Sequence, residues 1–226
     1  MHPGSITVLY LHGFASGPSS TKAKFFADRL AAINVNVIVP DLNQPSFAKM
    51  TLSSQLAVAG HCLEAIDADT SLVIIGSSMG GLLATLVAQT LIPLQALVLL
   101  APGFGLPRRW TQMLGAQGLE DWREQGTIDV FHHGLNITTK LNYDFILDAQ
   151  KFSTNGLRVM IPTIVFHGKN DETVPLEESL EFGKNNPETV RLEVLDDDHQ
   201  LLQSLEHIWL TTKEFIEQTQ SKSPGQ

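Results

Sequence analysis

The chain contains a single cysteine, Cys62, which rules out an internal disulfide framework and any zinc site built from cysteines. Positive charge is also scarce. Fifteen lysines and arginines stand against 24 aspartates and glutamates, a formal net charge of −9, so there is no basic footprint for gripping a phosphate backbone or an anionic membrane. No nucleic-acid partner is expected. No apolar run is long enough to span a bilayer, and the first 30 residues hold only the short run ITVLYL (6–11) with no basic segment before it. The expectation is a cytoplasmic protein without a membrane span. The loop after that run, GFASGPSSTK (13–22), lacks the G-K-[ST] ending of a phosphate-binding loop, so no nucleotide is implied.

What is present is an ordinary globular composition, 43% apolar and 17% charged over 226 residues, enough for one core and read as a single domain over 1–226. β-branched apolar runs alternate with segments of helical period. Strands are expected at 6–11, 35–40, 71–75, 94–101, 162–168 and 190–195. Helices are expected at 22–33, with Phe26, Leu30 and Ile33 on one face, and at 52–66, 79–91 and 176–184. A last helix carries Leu201, Leu205, Ile208, Trp209, Phe215 and Ile216. Unbroken apolar strands joined by crossover helices predict an α/β fold with a mostly parallel sheet of about six strands and helices on both faces. Residues 103–160 are too long for one crossover and hold no strongly strand-like run, so they read as a helical cap insertion. The tail QSKSPGQ (220–226) reads as a frayed end.

Chemistry concentrates at Gly76-Ser77-Ser78-Met79-Gly80. Ser78 alone has glycine at both minus two and plus two, fitting G-x-S-x-G at a strand-to-helix turn. So sharp a turn strains the serine backbone, and side chains at positions 76 and 80 would collide with neighbouring elements. Ser77, flanked at that spacing by Ile75 and Met79, reads as a buried neighbour. A serine nucleophile needs a base, and the base needs an acid to orient it. Asp171 follows the strand ending at 168 and His199 follows the one ending at 195. Loops at the C-terminal ends of parallel strands gather on one edge, so Ser78, Asp171 and His199 should meet there in the chain order Ser, Asp, His. Plainer alternatives exist: Asp171 as a turn cap, and His199 as a solvated loop residue or part of a DDDH metal cluster. His12, His167, His132 and His133 are weaker candidates for the base. An oxyanion hole should draw on the N–H groups of Met79 and Phe14.

These segments carry a resemblance. LYLHGFASGPSSTKA together with GSSMGG is similar to the small YqiA-like esterases of the α/β-hydrolase superfamily. The resemblance implies Ser78 as nucleophile, Asp171 as acid, His199 as base and Phe14 as an oxyanion donor. It implies hydrolysis of esters of small or medium acyl groups, with no metal and no cofactor. Two departures stand out: the chain starts directly at ITVLYL, without two leading strands, and segment 103–160 is longer than expected in the smallest relatives. A small-molecule ester or thioester is the expected partner. Thioester cleavage, acyl transfer and carbon–carbon hydrolysis on the same residues stay open, as does a non-catalytic binding module. Arg108 and Arg109, beside Trp110, are either a solvated helix face or a clamp for a substrate anion.

Overall fold

In the computed structural model, residues 6–90, 94–152 and 154–221 are described. Six strands form one sheet: β1 (Ile6–Leu11), β2 (Asn36–Ile38), β3 (Ser71–Ser77), β4 (Leu94–Leu100), β7 (Thr163–Gly168) and β8 (Val190–Leu195). Their order is β2-β1-β3-β4-β7-β8, and every pairing is parallel. Two further strands, β5 (Thr127–His132) and β6 (Ile137–Asn142), form an antiparallel hairpin outside that sheet. This is the α/β-hydrolase architecture.

Alternation along the strands divides the core although both faces are apolar. Leu9, Leu11, Ile74, Leu97 and Leu99 point to one face, where they pack with α2 (Leu52–Glu64) and α3 (Met79–Ala88). Val8, Tyr10, Val73, Ile75 and Val98 point to the other, covered by α1 (Thr21–Ala31) and α7 (Leu205–Ser221). Chain reversals between parallel strands need such crossovers, which brings every strand's C-terminal end to one edge.

Several elements depart from the sequence reading. α1 stops at Ala31, leaving Ile33 exposed beyond it, and α7 starts at Leu205, so Leu201 lies in the preceding loop. Leu201 is fully buried there at a φ of 55°. The larger difference is the segment between β4 and β7. It holds α4 (Leu106–Gln125), interrupted at Gly115, then the β5-β6 hairpin and α5 (Asp144–Ala149), so it is not purely helical. The hairpin escaped the sequence reading because Phe131 and Ile137 face solvent and spoil the apolar alternation. Buried Trp122 joins the pieces, its indole N–H donating to the Leu141 carbonyl at 3.1 Å. The remaining helix, α6 (Leu176–Asn185), lies where it was expected. Residue 91 of the expected helix 79–91 and residues 222–226 of the tail lie outside the described residues. Among the described residues no helix is long and apolar enough to cross a membrane.

Candidate active site

Ser78 sits between the last residue of β3 and the first of α3, with φ 54° and ψ −117°. That is a left-handed backbone on a non-glycine residue, a conformation that costs free energy and persists only where its surroundings enforce it. The enforcement is visible. Ser78 N–H donates to the Leu100 carbonyl at 2.8 Å, and its own carbonyl accepts from Gly103 N–H at 2.9 Å. A Cβ on Gly76 would run into the Gly80 carbonyl, and one on Gly80 into the Leu11 carbonyl, so both flanking positions exclude side chains. Gly13 is less confined, since a Cβ there would lie 3.2 Å from that of Ser78, a tight contact rather than an exclusion.

Two other strand ends bring their side chains to this serine. His199 Nε2 lies 3.1 Å from Ser78 Oγ, and His199 Nδ1 lies 2.7 Å from Asp171 Oδ2. With Nδ1–H donating to the carboxylate, Nε2 keeps a lone pair for the serine proton. The Asp171 carboxylate is buried, which alone would raise its pKa. Hydrogen bonds from His167, His199 and Val174 N–H outweigh burial and hold it well below the usual carboxylate range. Asp171 Oδ1 also accepts from Thr173 N–H at 2.8 Å, so it both closes its own turn and faces His199.

The turn carrying His199 is shaped by its neighbour Asp197. That buried carboxylate accepts from Asp198 N–H and Ser204 N–H, both at 2.8 Å, while Asp196 reaches outward to Lys169. Asp196 and Asp197 therefore do separate jobs. Among the described residues no group of three His, Cys, Asp or Glu side chains is arranged to hold a metal ion.

The other histidines are committed elsewhere. His167, fully buried at the end of β7, accepts from the Ser179 hydroxyl through Nδ1 at 2.7 Å and donates from Nε2 to the Val174 carbonyl at 3.0 Å. Its Nε2 is also 3.3 Å from Asp171 Oδ2, a supporting contact that no sequence pattern announces. His12 accepts from Leu42 N–H at 3.0 Å through Nε2, and its Nδ1 donates to the Gly13 carbonyl at 2.9 Å. Burial pushes its pKa down, so the neutral ring pins the loop leading to Phe14. His132 packs edge-on against Phe47 and accepts from Leu135 N–H, while His133 lines the cavity around Ser78.

Phe14 and Met79 flank the serine. Met79 is the first residue of α3, so its N–H has no acceptor within the helix, and the helix dipole adds positive potential there. Phe14 shares the cavity with Ser78, and its ring packs edge-on against Trp110 at 5.3 Å and against Phe145 at 5.5 Å. This aromatic contact ties the segment between β4 and β7 to the β1 loop, a role of Phe14 that its sequence context did not reveal.

The cavity measures about 630 Å³. Ser78, His199 and Phe14 form one side, and Trp110, Met113, Val130 and Phe131 form the other. Arg108 and Arg109 are not part of it. Buried Glu178 of α6 takes Arg109 through both carboxylate oxygens, meets Arg108 at 3.4 Å and accepts from Gly105 N–H at 2.7 Å. Of the two readings, the anion clamp is not found: Arg109 joins Glu178 in an ion pair that fixes the start of α4, while Arg108 stays more than half exposed on the helix face.

Comparison with solved structures supports the architecture. Est1E from Butyrivibrio proteoclasticus, with ferulic acid bound, aligns with a TM-score of 0.82 at 22% identity, covering 97% of this chain and 91% of its own. Mouse alpha/beta hydrolase domain-containing protein 10 aligns with a TM-score of 0.79 at 18% identity, covering 94% and 90%. The Pyrococcus furiosus esterase Pf2001 aligns with a TM-score of 0.65 at 21% identity, covering 95% and 83%. At such identities the likeness speaks for the fold. The sequence itself matches the Uncharacterised protein family UPF0227 over residues 7–217, and the chain belongs to that family.

Proposed function

We propose that the protein is a serine hydrolase that cleaves carboxylic esters of small or medium acyl groups through an acyl-enzyme on Ser78. One observation carries the reading: the unbroken hydrogen-bonded series from Ser78 Oγ through His199 to Asp171, opening into a cavity large enough for an acyl chain. The esterase among the structural neighbours agrees with it at the level of fold.

In this mechanism His199 Nε2 accepts the Ser78 proton as Oγ attacks the substrate carbonyl. The N–H groups of Met79 and Phe14 receive the negative charge that develops on the carbonyl oxygen. Asp171 holds the ring in its productive tautomer and stabilises the imidazolium. His199 then returns the proton to the departing alcohol, and a water molecule activated by the same nitrogen releases the acid. No step requires a metal or cofactor. The chain acts as one domain, with the segment between β4 and β7 as the cap of the site.

The decisive experiment is covalent labelling with a fluorophosphonate, which reacts only with an activated serine, followed by peptide mapping. Labelling at Ser78 that disappears in Ser78→Ala and in His199→Ala is expected. Wild-type protein that is inert to the probe and to a panel of acyl esters would overturn the assignment.

A further inference from the structure

The cavity around Ser78 has a polar end as well as an apolar one. Besides the apolar residues of the segment between β4 and β7, it is lined by Tyr10, Ser20, Lys22, Ser77 and Gln200. These come from the end of β1, the first turn of α1, the end of β3 and the His199 loop. Lys22 supplies the positive charge. Its ammonium donates to the His199 carbonyl at 3.4 Å, and among the described residues no carboxylate lies within ion-pair distance of it.

The carboxylates that its charge does reach, Asp171, Asp198 and Asp197, already have donors of their own. Asp171 is held by two histidines and two N–H groups, Asp197 by two N–H groups, and Asp198 by Gln200 N–H at 2.7 Å. Burial pulls the Lys22 pKa down to about 8 against the pull of those carboxylates, the signature of an ammonium short of counter-charge. Two further groups favour an anion here. The first turn of α1 carries no acidic residue, and the Ser20 side chain makes no capping bond, so the helix end adds potential of the same sign. Tyr10 Oη makes no hydrogen bond within normal limits, although the Ser77 side chain is close by.

Resting on the serine-hydrolase reading, we propose that Lys22 is the specificity-determining residue of this site and selects esters that carry a carboxylate. The ammonium meets the substrate carboxylate at the polar end. The ester carbonyl lies at Ser78, and the apolar remainder lies against Trp110, Met113 and Val130. A substrate without the charge leaves Lys22 half-buried with only a long hydrogen bond, so the site discriminates by leaving a polar group unpaired.

The test uses matched esters that differ only in whether one carboxylate is free or capped as its methyl ester. Two carry it on the acyl chain, the p-nitrophenyl half-esters of glutarate and adipate. One carries it on the alcohol, the butyrate ester of 4-hydroxybenzoate. Wild-type protein is expected to prefer the free carboxylate in at least one pair. Lys22→Met should lower kcat/KM for that member by roughly tenfold or more, chiefly through KM, and by under threefold for its capped counterpart. Lys22→Arg should keep the preference. Fluorophosphonate labelling of each variant reports whether Ser78 and His199 are intact. An equal loss on free and capped esters would make Lys22 a support of the His199 loop and overturn the proposal, as would an unchanged preference or no preference in any pair. Wild-type protein that turns over neither series and resists the probe would instead sink the serine-hydrolase reading beneath it.

Discussion

The two sides of the cavity are built in different ways. On one side Ser78, Asp171, His199 and His12 sit on strand-end loops whose backbone and side-chain groups are mutually hydrogen-bonded, down to the individual ring nitrogens. On the other, Met113 and Phe131 stand exposed on an interrupted helix and a two-stranded hairpin, elements attached through ring packing, the Glu178–Arg109 ion pair and a few hydrogen bonds such as Ser53 to Asp148 and Gly134 N–H to the Ala15 carbonyl. The contrast separates the atoms that must be held to fractions of an ångström from those that need only exclude water and offer apolar surface. The predictions below press on that division.

The greatest effect is expected at the serine. Ser78→Ala should abolish ester turnover, with a loss in kcat on the order of 10⁵–10⁶, while the melting temperature holds. Ser77→Ala should keep appreciable activity, and steady-state kinetics on an activated ester compares the two. The reverse order would show that the strand-to-helix turn is misread and that the rigid side holds a different nucleophile.

Asp171→Asn comes next, with turnover falling by about 10⁴, as when a triad acid loses its charge. The same variant has a stability signature. Because the folded-state pKa of Asp171 lies below its unfolded value, the charge contributes stability above pH ~3.9, and that contribution fades as pH falls toward the folded value. The gap in melting temperature between wild type and Asp171→Asn should therefore narrow below pH ~4. A constant gap down to low pH would mean that Asp171 contributes by shape rather than charge.

Glu178→Gln tests the attachment of the opposite side. Losing the charge leaves Arg109 poorly paired beside Gly105, at a cost of about 2 kcal/mol, or a melting temperature lower by roughly 4–8 °C. Activity on short esters should change far less than stability, which calorimetry and initial rates together would show. A collapse of turnover at unchanged stability would place Glu178 in the chemistry and break the division.

The smallest effect belongs to the rim. Met113→Ala and Phe131→Ala each expose or remove apolar surface worth about 1 kcal/mol to a bound chain. The preferred acyl length should shift by one or two carbons, with kcat for acetate esters nearly constant. A panel of acyl esters checks this.

How much of this could be read from the sequence follows the same line. The meeting of Ser78, Asp171 and His199 was legible because strand-to-helix turns carry local signals: glycines where no Cβ fits, and loop residues just past apolar runs. The parallel sheet was legible for a related reason, since strands buried on both faces read as solid apolar runs. The hairpin was not. Its strands are half-exposed, so Phe131 and Ile137 face water and no period dominates. Nor does any local pattern announce a pairing such as Glu178 with Arg109, which lie 69 positions apart, or the tether from Lys22 to the His199 carbonyl across 177. Such contacts depend on which elements the sheet brings together. That is why Arg109, read from the sequence as a solvated or anion-binding residue, is instead engaged with buried Glu178.

The hydrogen bond from Ser78 N–H to the Leu100 carbonyl has a consequence for motion. It continues the ladder between β3 and β4 in the middle of the sheet, so the Ser78 amide can exchange its proton with water only when those central strands part. Hydrogen exchange at Ser78 should thus approach the rate set by global unfolding. Amides of the β5-β6 hairpin should exchange through local opening, orders of magnitude sooner. The Ser78 hydroxyl is then fastened to the slowest-opening part of the protein, and the surface facing it across the cavity can rearrange many times before the serine moves once.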